Sequence, residues 1–470
     1  MNERRARYLL VVFGILFITL VGYLTYFEVN QTEKYTKAPE NARNYKRDIE
    51  IIRGSIYDCN GEILAYSKKQ TVPAKDSSSQ DIEEIVRIYP FDDLYTGVVG
   101  YVTKDYSSRT QIEREYNDTL LDTSLADKIT EGEARGKDIS LTLDHKIQQV
   151  AYDALADNFG AVVAMNPKTG EIYALVSKPS QNANKIVLEE DDKTSSLFSR
   201  PLDFAYPPGS TYKIITAAAI LEEGLEDYEY NDVDGEYLDV PNANGGLGYG
   251  KTDLYTGFTV SSNAYFGYMS AEKLGQKKVQ DIAKRFLLNT DLNEVFKFDL
   301  PIKKATFQQD YMNPGDIVNS SIGQGQTAMT PLHLALVGAT VANDGVMPNP
   351  QIVYSVDGVK IKHDTPGKQI ISKSVAEELK ELMSYVTSGY KNYNGTGSKA
   401  SLSEYDIQVC GKTGTSETGT DEKDNAVYVG FAPYEDPEIV VAVIIENIGF
   451  GGTYAAPVAK KVMMQYFGLE

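Results

Sequence analysis

The amino-acid sequence predicts an α+β protein with one N-terminal membrane-spanning helix, a smaller N-terminal domain and a larger C-terminal domain. An uncharged apolar run at residues 8–27 is long enough to cross a bilayer. After residue 140, strand-like segments occur near both ends of the chain and helical segments lie between them. We therefore expect one sheet built from remote parts of the chain, with helices packed on it.

Composition and charge exclude several classes of function. The 470 residues suffice for two or three domains with a large core. Lysine and arginine total 46 while aspartate and glutamate total 66, and the net charge of −20 argues against nucleic acid or an anionic membrane surface as the main ligand. With two distant cysteines and three isolated histidines, the sequence predicts no disulfide framework and no structural zinc site.

The apolar run from Tyr8 to Phe27 is interpreted as an uncleaved membrane anchor. Arginines precede it at positions 4, 5 and 7, and the positive-inside rule places them in the cytoplasm. Residues 1–7 are therefore expected to form a cytoplasmic tail, and the bulk of the chain is expected to lie outside the cell membrane. A cleaved signal peptide is the alternative, but the run is long for one and its end lacks the small residues of a cleavage site.

The N-terminal domain is predicted to span residues 28–140, beginning with a polar stalk at residues 28–50. Asn60-Gly61 lies between apolar residues and is a strong signal for a hairpin with a two-residue turn. Residues 70–82 are rich in polar side chains and predict a loop. A charged, glycine-flanked linker at residues 132–136 sets the domain boundary near residue 140.

The C-terminal domain, residues 141–470, combines strand and helix patterns. Asp144 is expected to cap the first helix, and residues 166–170 to form the turn between two strands. A helix over residues 252–274 is expected to break near Val260-Ser261-Ser262-Asn263. The other predicted elements are helices over 146–158, 279–288, 331–342, 375–386 and 456–467, and strands over 139–143, 161–165, 171–176, 407–413, 426–431 and 439–445.

The stretch Tyr206-Pro207-Pro208-Gly209-Ser210-Thr211-Tyr212-Lys213 precedes an apolar, alanine-rich run that predicts a buried helix ending at Gly224. Prolines and a glycine can precede a helix, so this turn is expected to place Ser210 in the helix's first turn. Ser210 and Lys213 are three residues apart and share one helical face, so the amine can reach the hydroxyl. A helix N-terminus also stabilises a nearby oxyanion. The pattern indicates an activated serine nucleophile.

A Ser-x-x-Lys motif alone is weak evidence, because it occurs three times. Ser270/Lys273 lies within a predicted helix, away from any helix terminus that could stabilise an oxyanion. Ser388/Lys391 lies in a predicted glycine-interrupted loop. Only Ser210 has a rigid turn before it and a buried helix after it.

Two further motifs, Lys-Thr-Gly and Ser-x-Asn, each occur twice. In each case only one of the two copies lies in a context that suits catalysis or ligand binding. Lys168-Thr169-Gly170 suits a turn, whereas Lys412-Thr413-Gly414 lies in an extended run where Gly411 and Gly414 would let a ligand backbone approach closely. Ser180/Asn182 lies in a polar loop, whereas Ser261/Asn263 lies at the predicted helix break. One ordered set remains: Ser210-x-x-Lys213, Ser261-x-Asn263 and Lys412-Thr413-Gly414.

This set resembles the penicillin-interacting enzymes: penicillin-binding proteins, D,D-carboxypeptidases and serine β-lactamases. The wider chain is similar to compact class B penicillin-binding proteins, in which a pedestal (dimerisation-like) domain precedes a serine β-lactamase-like transpeptidase domain. The stretches that carry this similarity are Arg53-Gly54-x-Ile56-x-Asp58-x-Asn60-Gly61, Gly160-Ala161-Val162-Val163, Pro167-Lys168-Thr169-Gly170-Glu171, Pro207-Pro208-Gly209-Ser210-Thr211-Tyr212-Lys213, Ile322-Gly323-Gln324-Gly325, Thr330-Pro331-Leu332 and Val429-Gly430-Phe431-Ala432-Pro433.

The resemblance implies acyl transfer on peptidoglycan stem peptides that end in D-Ala-D-Ala, without a metal or cofactor. It implies that Ser210 is the nucleophile, Lys213 the general base, Ser261 a proton relay and Asn263 a group that orients Lys213 and the substrate. Further implied roles are carboxylate binding by Lys412 and Thr413, substrate binding along Gly414 and Thr415, and an oxyanion hole formed by the backbone amides of Ser210 and Thr415. β-Lactams would acylate Ser210.

Several alternative functions share motifs or domains with the predicted transpeptidase. A D,D-carboxypeptidase or a β-lactamase would have the same motifs, but the anchor and the pedestal argue against both. A penicillin-sensing receptor would need several membrane segments and a cytoplasmic output domain. The chain could also be an inactive scaffold of the cell-wall machinery, but the intact motifs argue against that function. By analogy with the family, a membrane-embedded glycan polymerase of the SEDS type is the expected partner.

Overall fold

A computed structural model describes residues 3–30, 50–72, 82–104, 108–123, 133–188, 194–362, 366–418 and 422–469. Helix α1 contains the predicted anchor: residues Tyr8–Glu28 have a mean hydropathy of 2.3 and side chains exposed outside the folded body. This single helix fits a single-pass membrane anchor by length and composition. Most of the predicted stalk, residues 31–49, lies outside the described residues.

The helices and strands are numbered in chain order. The helices are α1 (Glu3–Asn30), α2 (Gln111–Glu115), α3 (Asn117–Leu120), α4 (His145–Ala154), α5 (Arg200–Asp203), α6 (Lys213–Glu222), α7 (Leu254–Val260), α8 (Asn263–Tyr268), α9 (Gly275–Arg285), α10 (Leu292–Phe296), α11 (Pro314–Ser321), α12 (Pro331–Ala342), α13 (Lys373–Ser388) and α14 (Gly451–Phe467). The strands are β1 (Ile56–Tyr57), β2 (Ile63–Val72), β3 (Ile82–Ile88), β4 (Ile139–Leu141), β5 (Gly160–Met165), β6 (Ile172–Lys178), β7 (Tyr230–Asp232), β8 (Glu236–Tyr237), β9 (Val240–Pro241), β10 (Gly250–Thr252), β11 (Val346–Met347), β12 (Val353–Val356), β13 (Val359–Lys360), β14 (Lys368–Gln369), β15 (Cys410–Ser416), β16 (Asn425–Ala432) and β17 (Ile439–Ile445).

The predicted sheet from remote parts of the chain is present, in the order β15-β16-β17-β5-β6. All four strand pairs are antiparallel. Side chains of β5 alternate between two cores: Val162 faces α4 and α14, while Val163 faces the larger core on the other side, which includes α6 and α12. Helices pack on the sheet, as predicted, and the structure adds that they cover both of its faces.

A second sheet, in the order β13-β12-β4-β1-β2-β3, contains the predicted hairpin between β1 and β2. Its turn is longer than the two-residue turn expected at Asn60-Gly61. The Asp58 carboxylate accepts hydrogen bonds from the backbone amides of Asn60 (2.8 Å) and Glu62 (2.7 Å), so the turn spans residues 58–62. Strand β2 extends to Val72, into the segment predicted as a loop.

Strand β4 crosses the predicted domain boundary at residue 140. It pairs with β1 in parallel and with β12 in antiparallel orientation, so residues 353–360 join the sheet of the N-terminal region. The division of the chain at residue 140 stays a prediction, and the structure adds that strands from both sides of it share one sheet.

Several element boundaries differ from the sequence-based expectation. Helix α4 ends at Ala154, four residues early, and Ala156 has a φ of 49° that no right-handed helix allows. Strand β15 begins at Cys410 rather than at residue 407, because Ile407 forms a bridge with Leu402 outside the sheet. Helix α14 begins at Gly451, five residues before the predicted start at residue 456. It contains Pro457 in its interior.

Candidate active site

The turn that presents Ser210 is fixed by close backbone packing. The Gly209 amide donates to the Gly323 carbonyl (3.0 Å), and Gly209 has a φ of 54°. A methyl group at Gly209 would overlap the carbonyl oxygen of Thr415, so only glycine allows the turn to approach β15 this closely. Ser210 lies in a 3₁₀ turn, Gly209–Tyr212, rather than in the first turn of the α-helix, which begins at Lys213.

The predicted break between α7 and α8 presents Ser261 and Asn263. Ser261 adopts the left-handed conformation (φ 60°, ψ 42°), which ends α7. Ser262 then caps α8 by accepting a hydrogen bond from the Tyr265 amide (3.0 Å). Asn263 is the first residue of α8, so its side chain and that of Ser261 reach the same buried amine.

Three motifs meet at the Ser261 hydroxyl. Lys213 Nζ donates to the Ser261 carbonyl oxygen (2.8 Å) and to Asn263 Oδ1 (2.7 Å), and it lies 3.2 Å from Ser261 Oγ. Lys412 Nζ donates to Ser261 Oγ (2.9 Å) and to the Thr413 carbonyl oxygen (3.2 Å). The Ser261 hydroxyl thus bridges two lysine amines that are about 200 residues apart in the sequence.

Both amines are fully buried, and their described contacts contain no carboxylate. Burial lowers the pKa of Lys213 well below its usual value, and the charge of Lys412 adds to the shift. Burial alone lowers the pKa of Lys412 to about 7. At least one of the two amines is therefore driven towards its neutral form near neutral pH.

Strand β15 forms an edge of the sheet beside Ser210. Thr413 Oγ1 lies 2.6 Å from Thr396 Oγ1, so two hydroxyls face the cavity as a pair. The glycines of this strand also pack closely against neighbouring parts of the protein, a role that the sequence did not predict. A methyl group at Gly411 would overlap the Tyr428 hydroxyl, and one at Gly414 would crowd the Pro208 carbonyl oxygen. Both glycines therefore allow close packing within the protein, and Gly414 also lines the cavity.

A cavity of about 670 Å³ joins these elements. Six of the predicted site residues line it, and the amines of Lys213 and Lys412 are buried beneath its wall; the six are Ser210, Ser261, Asn263, Thr413, Gly414 and Thr415. The cavity is also lined by residues that the sequence analysis missed, among them Asn242, Gln324, Thr396 and Phe450. Thr396 and Gln324 each lie between two glycines, and Gln324 also belongs to a stretch that carries the family resemblance, but neither residue is assigned to the site in the sequence analysis.

The repeated motifs lie elsewhere. Ser270 lies in a π-helical stretch, Met269–Leu274, and Lys273 Nζ lies 4.3 Å from the centre of the Tyr228 ring. Ser388 is the last residue of α13 rather than part of a loop, and Lys391 pairs with Asp253 at 2.9 Å. Residues 168–170 form the turn between β5 and β6, as expected.

A family model described as the penicillin binding protein transpeptidase domain matches residues 160–464. The chain belongs to this family. The peptidoglycan D,D-transpeptidase PbpA of Mycolicibacterium smegmatis is 31% identical over 96% of this chain and 96% of that protein. The peptidoglycan D,D-transpeptidase MrdA of Acinetobacter baumannii is 30% identical over 81% of this chain and 66% of that protein.

Solved structures agree with the fold. The imipenem acyl-enzyme complex of penicillin-binding protein A from Mycobacterium tuberculosis is 28% identical, with a TM-score of 0.77 over 90% of this chain and 99% of that chain. A structure of Pseudomonas aeruginosa PBP2 is 29% identical, with a TM-score of 0.74 over 89% and 96%. The class of fold expected from the motifs, a penicillin-binding transpeptidase domain, is confirmed.

Proposed function

We propose that this chain is a peptidoglycan D,D-transpeptidase that forms an acyl-enzyme at Ser210. The main observation in support is the pair of buried amines, those of Lys213 and Lys412, around Ser261. The partly exposed Ser210 lies next to them at the cavity surface. The family membership and the names of the relatives support the same reaction.

Lys213 is the proposed general base, and its hydrogen bonds favour that role. A neutral lysine amine has two hydrogens and one lone pair. The Ser261 carbonyl and Asn263 Oδ1 are pure acceptors and take up both hydrogens. The lone pair is then free to accept a proton from a hydroxyl, and Ser210 lies in the adjoining turn.

The reaction has two acyl-transfer steps. Ser210 Oγ attacks the carbonyl carbon of the penultimate D-Ala, and its proton passes to Lys213. The peptide C–N bond then breaks, and a proton relayed through Ser261 reaches the nitrogen of the departing D-Ala. In the second step, an amine of a neighbouring stem peptide attacks the ester, forms the crosslinking amide and returns Ser210 to its hydroxyl form.

The residues of β15 are proposed to hold the donor peptide. Lys412 and the Thr413 hydroxyl would bind its terminal carboxylate, and the backbone of Gly414 and Thr415 would run beside the peptide along the sheet edge. The backbone amides of Ser210 and Thr415 would bind the developing oxyanion, each donor lowering the barrier by roughly 3 kcal/mol. No metal or cofactor enters this scheme.

The membrane arrangement is part of the proposal. Residues 1–7 lie in the cytoplasm, α1 crosses the bilayer, and the folded body lies outside, where peptidoglycan is assembled. A SEDS-type glycan polymerase is the proposed partner in the membrane, by analogy with the family.

Labelled penicillin tests the nucleophile. The detergent-solubilised chain should form one adduct, and peptide mapping by mass spectrometry should locate it at Ser210. Ser210→Ala should abolish the adduct, while Ser388→Ala, at the repeated Ser-x-x-Lys motif, should leave it unchanged. An adduct that persists in Ser210→Ala would refute the assignment.

Product analysis separates transferase from hydrolase. With a stem-peptide donor and an acceptor amine, a transpeptidase should yield crosslinked dimer. A D,D-carboxypeptidase would yield only the shortened peptide, and a β-lactamase would release hydrolysed penicillin with rapid turnover.

A further inference from the structure

Residues 239–244 and Tyr249 line the cavity, and the segment 230–250 to which they belong, called the 230–250 loop here, has a buried polar interior. Three side chains in this loop or in contact with it are almost fully buried: Asp232 and Asn242 in the loop are 0% and 2% exposed, and Ser262 against them is 0% exposed. We infer that Asp232 and Asn242 are positioning residues for the acylation step. They fix the amide orientation of Asn263 and, through it, the lone pair of Lys213. The inference rests on the roles proposed above for Ser210, Lys213 and Asn263.

Asn242 connects the loop to the start of α8. Its Oδ1 accepts hydrogen bonds from the backbone amides of Asn263 (2.8 Å) and Ala264 (3.1 Å). Ser262 Oγ lies 3.1 Å from the same oxygen. The side chain of Asn242 thereby sets the position of the residue that contacts Lys213.

Asp232 determines which end of the Asn242 amide faces α8. Asn242 Nδ2 donates to Asp232 Oδ2 (2.8 Å) and to the Leu247 carbonyl (3.2 Å). The other carboxylate oxygen of Asp232 accepts from the Gly235 amide (3.1 Å). A buried carboxylate can only accept, so it holds the NH₂ end of Asn242 and leaves the oxygen for α8.

The loop also selects the orientation of Asn263. Asn263 Nδ2 donates to the carbonyl oxygen of Pro241, the residue directly before Asn242 (2.7 Å). This bond leaves Asn263 Oδ1 to accept from Lys213 (2.7 Å). In the opposite orientation an NH₂ group would face the lysine amine, and the lysine hydrogens would lose an acceptor.

A reciprocal exchange tests this connection. Asn242→Asp keeps the shape and the oxygen towards α8 but sets a second carboxylate against Asp232. Asp232→Asn leaves one acceptor oxygen for two donors, the Asn242 Nδ2 group and the Gly235 amide, so the orientation of Asn242 is no longer fixed. In the double variant, the amide at 232 donates to the carboxylate at 242 and restores the pair, while the Leu247 carbonyl keeps its bond from Asn244 Nδ2 (3.0 Å).

The measurement is acylation of the full-length protein by a labelled penicillin, recorded as the fraction acylated and as the rate constant. We expect each single variant to be acylated fully but roughly 10- to 100-fold more slowly, as for other small displacements of catalytic groups. The double variant should return to within about threefold of the wild type. Asn231→Asp and Asp234→Asn, at exposed positions of the same loop, are the matched controls and should react at the wild-type rate.

A purely structural role predicts a different result: fewer acylatable molecules that react at the wild-type rate constant. That result, or a folded double variant as slow as the single variants, would overturn the inference. If a single variant does not fold, the double variant decides, since a folded, fast double variant supports the inference and an unfolded or slow one refutes it. A wild-type protein without an adduct at Ser210 would refute the proposed function instead.

Discussion

Two buried clusters of cations in this protein have opposite surroundings. In the N-terminal region, Arg53 Nε and Arg87 Nε both contact the carboxylate of Glu113, which is 0% exposed. Burial would raise the pKa of Glu113, but the two guanidinium groups outweigh burial and hold that pKa below its usual value. In the candidate active site, Lys213 and Lys412 contact a hydroxyl, carbonyls and an amide oxygen.

The difference shows that buried charged groups can serve either structure or chemistry, depending on whether a counter-ion is buried with them. A carboxylate between two guanidinium groups keeps all three groups charged, so the first cluster is a fixed structural link. Two amines without a counter-ion release protons more readily, so the second cluster can supply a base. Four substitutions test this contrast.

The largest effect is expected at Lys213. Lys213→Met should reduce the rate of acylation by penicillin about 10²- to 10⁴-fold, because Ser210 loses the proton acceptor proposed for it. Lys273→Met, at the repeated motif, is the matched control and should react at the wild-type rate. A Lys213→Met protein that reacts at the wild-type rate would exclude Lys213 as the general base.

The next largest effect is expected at Glu113, and on stability. Glu113→Gln should lower the free energy of unfolding by about 3–5 kcal/mol, because two buried guanidinium groups lose their counter-ion. Chemical denaturation measures this loss, and molecules that remain folded should be acylated at the wild-type rate. Glu115→Gln, at an exposed pair with Arg114, should change stability little. Equal losses in both variants would remove the distinction between buried and exposed charge.

A third buried base has no counter-ion among its described contacts and should make stability depend on pH. Burial lowers the pKa of His333 from 6.5 to about 4, and its Nε2 lies 2.8 Å from the Phe286 carbonyl. Because the folded pKa lies below the unfolded one, its contribution is full above pH 6.5 and is lost as the pH falls to 4. The loss should reach about 3 kcal/mol. Denaturation of the wild type and His333→Gln at pH 7 and 4 measures it, and an equal change in both would contradict it.

The smallest effect is expected at an exposed ion pair. Arg285 contacts Glu222 across α9 and α6, and their side chains are 44% and 27% exposed. Glu222→Gln should change the free energy of unfolding by less than about 1 kcal/mol, because water and salt screen the pair. A loss comparable to that of Glu113→Gln would show that burial does not separate the two kinds of pair.

Sequence patterns predict the parts of this molecule that depend on the order of neighbouring residues. Helix α12 was predicted with the bounds it has, and the break at Ser261 was located from a short polar stretch between apolar ones. The pairing of Ser210 with Lys213 follows from a spacing of three residues. The structure brings the three motifs together, while the roles of their residues stay proposals.

The missed parts depend on contacts that no local pattern encodes. Asn242 lies in a glycine-rich loop without periodicity, and its importance comes from partners at positions 232, 263 and 264. Strands β8, β9 and β13 have two residues each, too few to show alternation. The apolar alternation that continues through Ile407 and Val409 explains why β15 was predicted three residues early.

The order of strands in the central sheet also determines when the sheet can be completed during synthesis of the chain. Strand β5 pairs with β6 soon after both are synthesised, but its other neighbour, β17, follows about 270 residues later, a delay of roughly 15–55 s at ordinary rates of translation. During that interval β5, whose six residues are all buried in the finished sheet, has an open apolar edge. This edge must therefore stay shielded until β17 is made, and a chain that stops before residue 439 is expected to be a substrate for chaperones and proteases rather than a shorter enzyme.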